Sequence, residues 1–365
     1  MPFIGNQPTS VPLTSSDLED NIISTAKIQD NAVTAAKYVE PIPFRNIIIN
    51  GDMSIAQRGT SASSVTSSAY NTVDRFKFMP SSIGTYTVSQ STTVPTGQGF
   101  AKSFKVDCTT ADASPASSDT FRFVQNIEGQ NLQYLKKGTS SAESLTASFW
   151  VRSNKTGVYT LELYDNDNNR QISQTYTISS ADTWEKKTLT YAGDTTGAFD
   201  NDNAHSLTLQ FWLGAGSNFT SGTLSTSWSS TTNADRVSSS QVNIGDSTSN
   251  EWYITGVQLE AGTSASEFEF LPVDVNERRC FRYYQVFNDN SDIEPLCMSQ
   301  NESTTNARAV VRLPVNMRSA PSLDQVTSSN VYGIVGKSTC RHVLNIFAVP
   351  SLRTPQCRVS RFGAS

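Results

Sequence analysis

From about residue 46 to 272, apolar and polar positions alternate over short runs. In "SLTASFWVRSN" Leu145, Ala147, Phe149 and Val151 fall on one face of an extended chain, because successive side chains of a strand point to opposite sides. The runs "YTVSQS", "KSFKVDCTT", "DTFRFVQNIEG", "GVYTLELYDND", "TWEKKTLTYAG", "HSLTLQFWLGAG" and "NEWYITGVQLEAG" repeat the style. Earlier, "RNIIINGDMSI" predicts a strand ending in a turn at Asn50-Gly51. Gly, Asn, Asp and Ser separate the runs at roughly 8–20 residue spacing, which predicts an all-β, two-sheet sandwich of jelly-roll type over residues 44–272. Residues 217–249 break the pattern. This stretch is rich in Ser, Thr and Asn, holds Trp228, and is expected to be a functional or mobile loop. Beyond residue 272 the pattern changes again. Val273–Arg279 predicts a helical turn, "CFRYYQVF" a strand, and "NARAVVRLPVNMRSAPSL", "VYGIVG", "RHVLNIFAV" and "CRVSRF" the strands of a small β domain over residues 273–365.

Residues 1–43 stand apart. The stretch "DNIISTAKIQDNAVTAAKYV" nearly repeats itself after ten positions: Asp20 matches Asp30, Asn21 Asn31, Ala26 Ala36 and Lys27 Lys37. Two copies of so short a unit cannot bury their own apolar side chains, so the segment is either unfolded alone or completed by other chains. Pro41 and Pro43 then favour an extended linker.

Composition narrows the functional classes. Charged residues are 17% of the chain, against about 25% in average domains, and Ser plus Thr take up the difference at about a quarter of all residues. The net charge is −5, but residues 276–365 carry eleven Lys+Arg against six Asp+Glu. Ten of those eleven cations are Arg, the side chain suited to bidentate ion pairs at subunit contacts or to an anionic surface. Without a lysine-rich stripe or a known motif, nucleic-acid binding is not expected. The five cysteines (Cys108, Cys280, Cys297, Cys340, Cys357) are odd in number and widely spaced, which predicts free thiols rather than a disulfide framework or a zinc site. No run of 18 apolar residues predicts a membrane span, and the N-terminus shows no basic region followed by an apolar one, so folding in a cytoplasm is expected.

Catalysis is not expected. The chain has two histidines, His205 and His342, on opposite sides of the predicted domain boundary, and no nucleophile elbow, phosphate loop or zinc-helix motif. A carboxylate pair acting on a glycan stays an alternative, since Asp and Glu are scattered along the chain. In "YDNDNNR", Asp165, Asp167 and Asn169 present oxygens at alternate positions, a rhythm that suits Ca²⁺, although an Asp/Asn-rich hairpin turn explains it equally. Sugar binding needs an exposed aromatic face with polar groups beside it. Trp228, in "STSWSSTTNADR" with Asn233 and Asp235 nearby, is the first candidate platform, followed by Phe219, Tyr86 and Tyr70. The structural alternative for Trp228 is a plug at the sandwich edge or a subunit contact.

Several stretches carry a resemblance. "FRNIIINGDMSIAQRGTS", "VDRF", "ASFWVRSNKTGVYTLEL", "ITGVQLEAGTSASEFEF" and "ERRCFRYYQ" are similar to a family of bacteriophage virion proteins, tail fibres with a carbohydrate-binding-module-like jelly-roll domain, over about residues 44–285. "LPVNMRSAPSL" is similar to a motif of C-terminal phage fibre domains, and residues 1–40 resemble repeat-bearing N-terminal fibre segments. The resemblance implies a homotrimeric fibre of the virion tail, assembled in the host cytoplasm. It would be anchored to other virion proteins by its N-terminus and bind host cell-surface glycans. In that setting Ile22, Ile23, Ile28, Ala32 and Val33 would be buried around a threefold axis as a trimer stem. A head fibre, cement protein or adaptor-linked appendage without receptor binding, and a glycan depolymerase, are the alternatives.

Overall fold

The computed structural model describes residues 44–287 and 312–322, with six short strands beyond residue 298. The stem residues Ile22, Ile23, Ile28, Ala32 and Val33 lie outside the described residues. Twelve strands build the main body: β1 (Ser61–Val65), β2 (Phe76–Ser81), β3 (Thr85–Ser91), β4 (Ser103–Thr110), β5 (Thr120–Glu128), β6 (Leu145–Ser153), β7 (Gly157–Asp165), β8 (Arg170–Ile178), β9 (Glu185–Tyr191), β10 (His205–Ala215), β11 (Ser229–Ser230) and β12 (Glu251–Ala261). They form two six-stranded sheets in the orders β1-β3-β4-β12-β6-β9 and β11-β8-β7-β10-β5-β2. The result is the all-β, jelly-roll-like sandwich that the alternation predicts. Among the described residues no helix is long and apolar enough to cross a membrane.

The inner faces follow the period of two. Leu145, Ala147, Phe149 and Val151 of β6 meet Leu207, Leu209, Phe211 and Leu213 of β10 in one core. Phe123 lies at its centre, stacked on Phe76 at 4.7 Å and on Phe104 at 4.3 Å, with Trp252 edge-on at 5.8 Å. Strand β12 changes its inward parity midway: Trp252 and Ile254 point in, then Val257 and Leu259. A register shift between Thr255 and Gln258 accommodates the change. Gly256 sits there at φ 63, with the Phe100 ring where a Cβ would be.

Two predicted elements differ. The run Ile47-Ile48-Ile49 is not a strand but an irregular buried segment. Apart from Ile47 N, which donates to Leu259 O at 2.9 Å, side chains take the place of a ladder. Asn46 Oδ1 accepts from the amides of Ile48 (3.0 Å) and Leu259 (3.1 Å), and the Gln125 amide clamps Ile49 N and O at 2.8 and 2.9 Å. The predicted strand "CFRYYQVF" is instead the end of a helix, α2 (Val273–Phe281), followed by a turn at Arg282–Tyr283. Further on, three two-stranded pairings join Ser299–Asn301 to Ala307–Ala309, Gly333–Ile334 to His342–Val343, and Ile346–Val349 to Gln356–Val359.

Residues 217–249 are pinned to the outer face of the second sheet. A single helical turn, α1 (Ser217–Thr220), sets Phe219 on the Trp212 ring at 5.5 Å. Arg236 forks onto Glu162 at 2.8 and 3.1 Å, and Trp212 Nε1 donates to the same carboxylate at 2.8 Å. Gln241 accepts from Thr160 N at 2.8 Å and donates to Trp212 O at 3.0 Å. The length that predicts a mobile loop here supplies a fixed cover.

Candidate functional site

The outer face of the second sheet has an open end. Its residues alternate with the core positions: Arg122, Asn126 and Glu128 on β5, and Thr208, Gln210 and Trp212 on β10. Near Glu128 and His205 a cleft of about 150 Å³ opens, lined by Arg58, Tyr70, Asp74, Arg75, Tyr283, Tyr284 and Arg318 besides the sheet residues.

Three stretches of sequence converge on it. The first is "VDRF". Arg75 immediately precedes β2 at φ 74, the left-handed region that costs a residue with a Cβ about 1–2 kcal/mol. In that conformation its guanidinium lies over the Tyr283 ring at 3.3 Å, and Nη2 donates to Asn126 O at 2.5 Å. The second is "IAQRGTS". Arg58 lies over the Tyr284 ring at 3.4 Å and reaches the Tyr70 ring at 5.4 Å, while Gln57 binds both Asp74 oxygens and Tyr284 O. The third is "ERRCFRYYQ", where α2 ends and the chain turns. There Arg282 forks onto Glu128 at 2.8 and 2.7 Å, and the Tyr283 hydroxyl donates to Glu128 Oε1. Arg318 N donates to Arg282 O at 2.9 Å, which brings a fourth, later segment to the rim.

The electrostatics are uneven. Burial alone would raise the Glu128 carboxyl, but the hydrogen bonds from Arg282 and Tyr283 outweigh it and hold it below the usual range. Asp74 moves the other way: burial raises it, and the Gln57 bonds and the neighbouring arginines only partly offset that. Burial, reinforced by Glu128, pushes the Tyr283 phenol up to about 12, so it stays a hydrogen-bond donor. A raised and a lowered carboxyl are the pattern of an acid–base pair. Glu128, however, accepts four hydrogen bonds: Arg282 Nε and Tyr283 Oη on one oxygen, Arg282 Nη2 and Gln130 Nε2 on the other. A carboxylate has about four acceptor sites, so none is left for a water or a sugar carbon. Among the described residues no group of three or more His, Cys, Asp or Glu is arranged to hold a metal ion.

The residues singled out from sequence are not brought together. Tyr86 is fully buried, edge-on to Phe78 at 5.5 Å and stacked on Phe121 at 4.4 Å, so it has no face for a sugar. Phe219 covers Trp212. Trp228 packs partly buried against the core, its Nε1 donating to Ala192 O at 2.8 Å, which matches the plug alternative better than a platform. Asp235 Oδ1 accepts from Thr223 N at 2.9 Å and closes its own loop, while Asn233 is exposed. Tyr70 alone of the aromatic candidates reaches the cleft.

The oxygens of Asp165, Asp167 and Asn169 diverge. Asp165 is fully buried and pairs with Lys137 Nζ at 2.6 Å, Asp167 accepts from Asp200 N at 3.0 Å, and Asn169 faces Tyr164 Oη at 3.4 Å. The Lys137 ammonium occupies the place a cation would take, with Asp194 Oδ2 at 3.1 Å and the carbonyls of Thr196 and Gly197 at 2.8 and 2.6 Å completing its shell. The rhythm of oxygens marks a hairpin turn closed by a lysine.

No protein-family model matches the chain, and no curated protein matches it. Among solved structures, it is similar to the enzymatically active domain of tailspike protein 4 of bacteriophage CBA120, at 15% identity and a TM-score of 0.31, over 60% of this chain and 22% of that one. The chain thus spans under a quarter of that protein's length. A sugar-binding protein of Bacteroides thetaiotaomicron is similar at 13% identity and a TM-score of 0.33, over 59% of this chain and 99% of that one. A family 11 carbohydrate-binding module of Clostridium thermocellum, solved with a mixed-linked β-1,3-1,4 tetrasaccharide, is similar at 11% identity and a TM-score of 0.28, over 57% and 99% of the two chains. All three are distant likenesses.

Proposed function

We propose that this chain is a non-enzymatic structural component of a bacteriophage virion, a homotrimeric tail fibre that joins other virion proteins through its N-terminal segment and holds host surface glycans in the Tyr–Arg cleft. The observation that supports the binding half is the cleft itself. Sugars are recognised by aromatic faces flanked by planar hydrogen-bonding groups, and Tyr70, Tyr283 and Tyr284 stand there beside Arg58, Arg75, Arg318 and Asn126. The volume suits one ring, so a single contact is weak. Three copies on a fibre would make weak contacts sufficient through multivalency. The saturated Glu128 supports the non-enzymatic half, because a glycosidase needs both carboxylates of its pair available. The phage assignment rests on the sequence stretches, of which "VDRF", "IAQRGTS" and "ERRCFRYYQ" also line the cleft.

The test is an array of bacterial surface polysaccharides probed with the full-length protein and with Tyr284→Ala. Selective binding by the first and a loss of about tenfold in the second are expected. No binding to any polysaccharide removes the adhesin reading and leaves a decorating virion protein. Light scattering on the same preparation is expected to give three chains per particle, and a single chain would remove the homotrimer.

A further inference from the structure

We infer that the ligand of the cleft is an acidic sugar, a terminal uronic-acid residue of a surface glycan whose carboxylate meets Arg75 and Arg318. This rests on the glycan-binding reading and narrows it to one chemical class. Two carboxylates line the cleft, and each already faces a guanidinium: Glu128 the fork of Arg282, Asp74 the Arg58 side chain at 3.9 Å. Two guanidiniums then form no ion pair among the described residues, although Asp74 is near enough to attract Arg75. Among the described residues Arg318 Nη1 donates to a carbonyl, Asn203 O, at 3.0 Å. Arg75 has the Tyr283 ring, one carbonyl, and a buried Nε with no hydrogen-bond partner among the described residues.

Arg75 is the stronger of the two observations. It is 94% buried (6% exposed) yet carries no ion pair among the described residues. Asp74 attracts it without forming an ion pair, so its burial is only partly compensated, and a positive φ adds strain. A neutral side chain would remove the first cost, and a glycine would remove both. A strained, buried cation that forms no ion pair among the described residues, at the wall of a cleft, is what an anion completes. The space decides which anion. About 150 Å³ exceeds what an inorganic ion fills and matches one ring-sized group, the size of cavity that accepts a benzene. The rings of Tyr70 and Tyr284 line the same cleft, and aromatic rings are the groups on which a sugar stacks.

The test is calorimetric titration of the full-length protein with sodium glucuronate, glucose and sodium acetate in turn. Glucuronate is expected to bind, with glucose and acetate each at least about tenfold weaker, and to weaken as salt is raised. Arg318→Gln is expected to lower glucuronate affinity about tenfold with the thermal transition kept, and Arg75→Met to do the same or more. Because Arg75→Met alters a buried position, the rim variant Arg318→Gln decides the outcome if the other fails to fold. Glucose binding as tightly as glucuronate overturns the acidic-sugar inference and leaves the glycan reading standing. Acetate binding as tightly as glucuronate makes this an anion site and overturns the sugar. Binding to none of the three while the polysaccharide array is positive places the glycan site elsewhere and overturns the inference alone. Silence on both overturns the two readings together.

Discussion

The outer face of the second sheet carries two assemblies of similar chemistry, roughly 20 Å apart along β5. In the closed one, Arg236 and Trp212 share the carboxylate of Glu162, Phe219 covers the indole, and Arg122 lies 5.1 Å from the same ring. In the open one, Arg282 and Tyr283 share Glu128, and Arg75 lies on the Tyr283 ring. Both hold more guanidiniums than carboxylates: Glu162 against Arg236 and Arg122 in the closed one, Glu128 and Asp74 against Arg282, Arg58, Arg75 and Arg318 in the open one. Excess positive charge therefore does not by itself mark a site. In the closed assembly burial, helped by Arg236, pushes Arg122 down to about 10, and the cover from residues 217–249 leaves no room for a ligand. What separates the two is space beside the charge.

The comparison predicts the largest effect at Glu162. Glu162→Ala leaves Arg236 and the indole N–H of Trp212 buried without their partner, which costs about 3–5 kcal/mol of stability. Chemical denaturation measures it. A loss below about 1 kcal/mol would mean that the cover is loosely held and that the closed assembly is not the structural one.

The sandwich was legible because its signal is local. The alternation in β6 and β10 places Leu145, Phe149, Leu209 and Phe211 in the core without knowledge of their partners. The cleft was not legible for the opposite reason. Arg58 and Arg75 meet Asn126, His205, Tyr283 and Arg318 only after chain separations of up to some 260 positions (318 less 58). The available signal was the unalternated mix of Arg and Tyr in "RRCFRYYQ", too polar for a core strand and too aromatic for a plain turn. Trp228 reads as exposed because its neighbours in sequence are polar. Its neighbours in space, Ala192 and Lys137, come from elsewhere in the chain. Asp165 misled for the same reason, since its counter-ion lies 28 residues away (165 less 137) at Lys137.

That lysine sharpens the comparison with a third case, a carboxylate cluster whose cation is built in. Lys137→Ala should cost about 3 kcal/mol, near the lower end for a broken buried pair because Arg170 still neutralises Asp194 at 2.7 Å. The space left is ringed by Asp165, Asp194 and two carbonyls, the hard oxygens that Ca²⁺ prefers. Thermal melts of the variant with and without calcium should therefore differ, and those of the parent should not. Equal melts for the variant would show that its oxygens cannot close on an ion.

A smaller effect is expected at Glu128, with a pH dependence that follows from its lowered carboxyl. A group whose folded value lies below its unfolded one stabilises the fold above the unfolded value and loses that contribution as pH falls through the folded one. Glu128→Gln should thus cost about 1–2 kcal/mol at neutral pH through weaker bonds to Arg282. The gap to the parent should close in acid, where the parent's carboxyl is protonated. Asp74, raised by burial, contributes with the opposite sign, a penalty that fades as pH falls through its folded value. Denaturation midpoints across the acid range would separate the two, and a gap that stays constant with pH would exclude the carboxylate as its source.

The smallest effect is also the most discriminating. Arg75→Gly removes a cation–aromatic contact and one hydrogen bond, and adds the backbone entropy of glycine. It also relieves the strain at φ 74 and removes a buried charge without an ion pair among the described residues. The two sets nearly cancel, so stability should change by less than about 1 kcal/mol. Deleting a partner in the closed assembly costs several times that. A change that small would set Arg75 apart from Arg236, whose guanidinium holds the closed assembly together. If Arg75→Gly instead destabilised as Glu162→Ala should, Arg75 would belong with Arg236 as a packing element, and the difference between the two assemblies would shrink to one of cover alone.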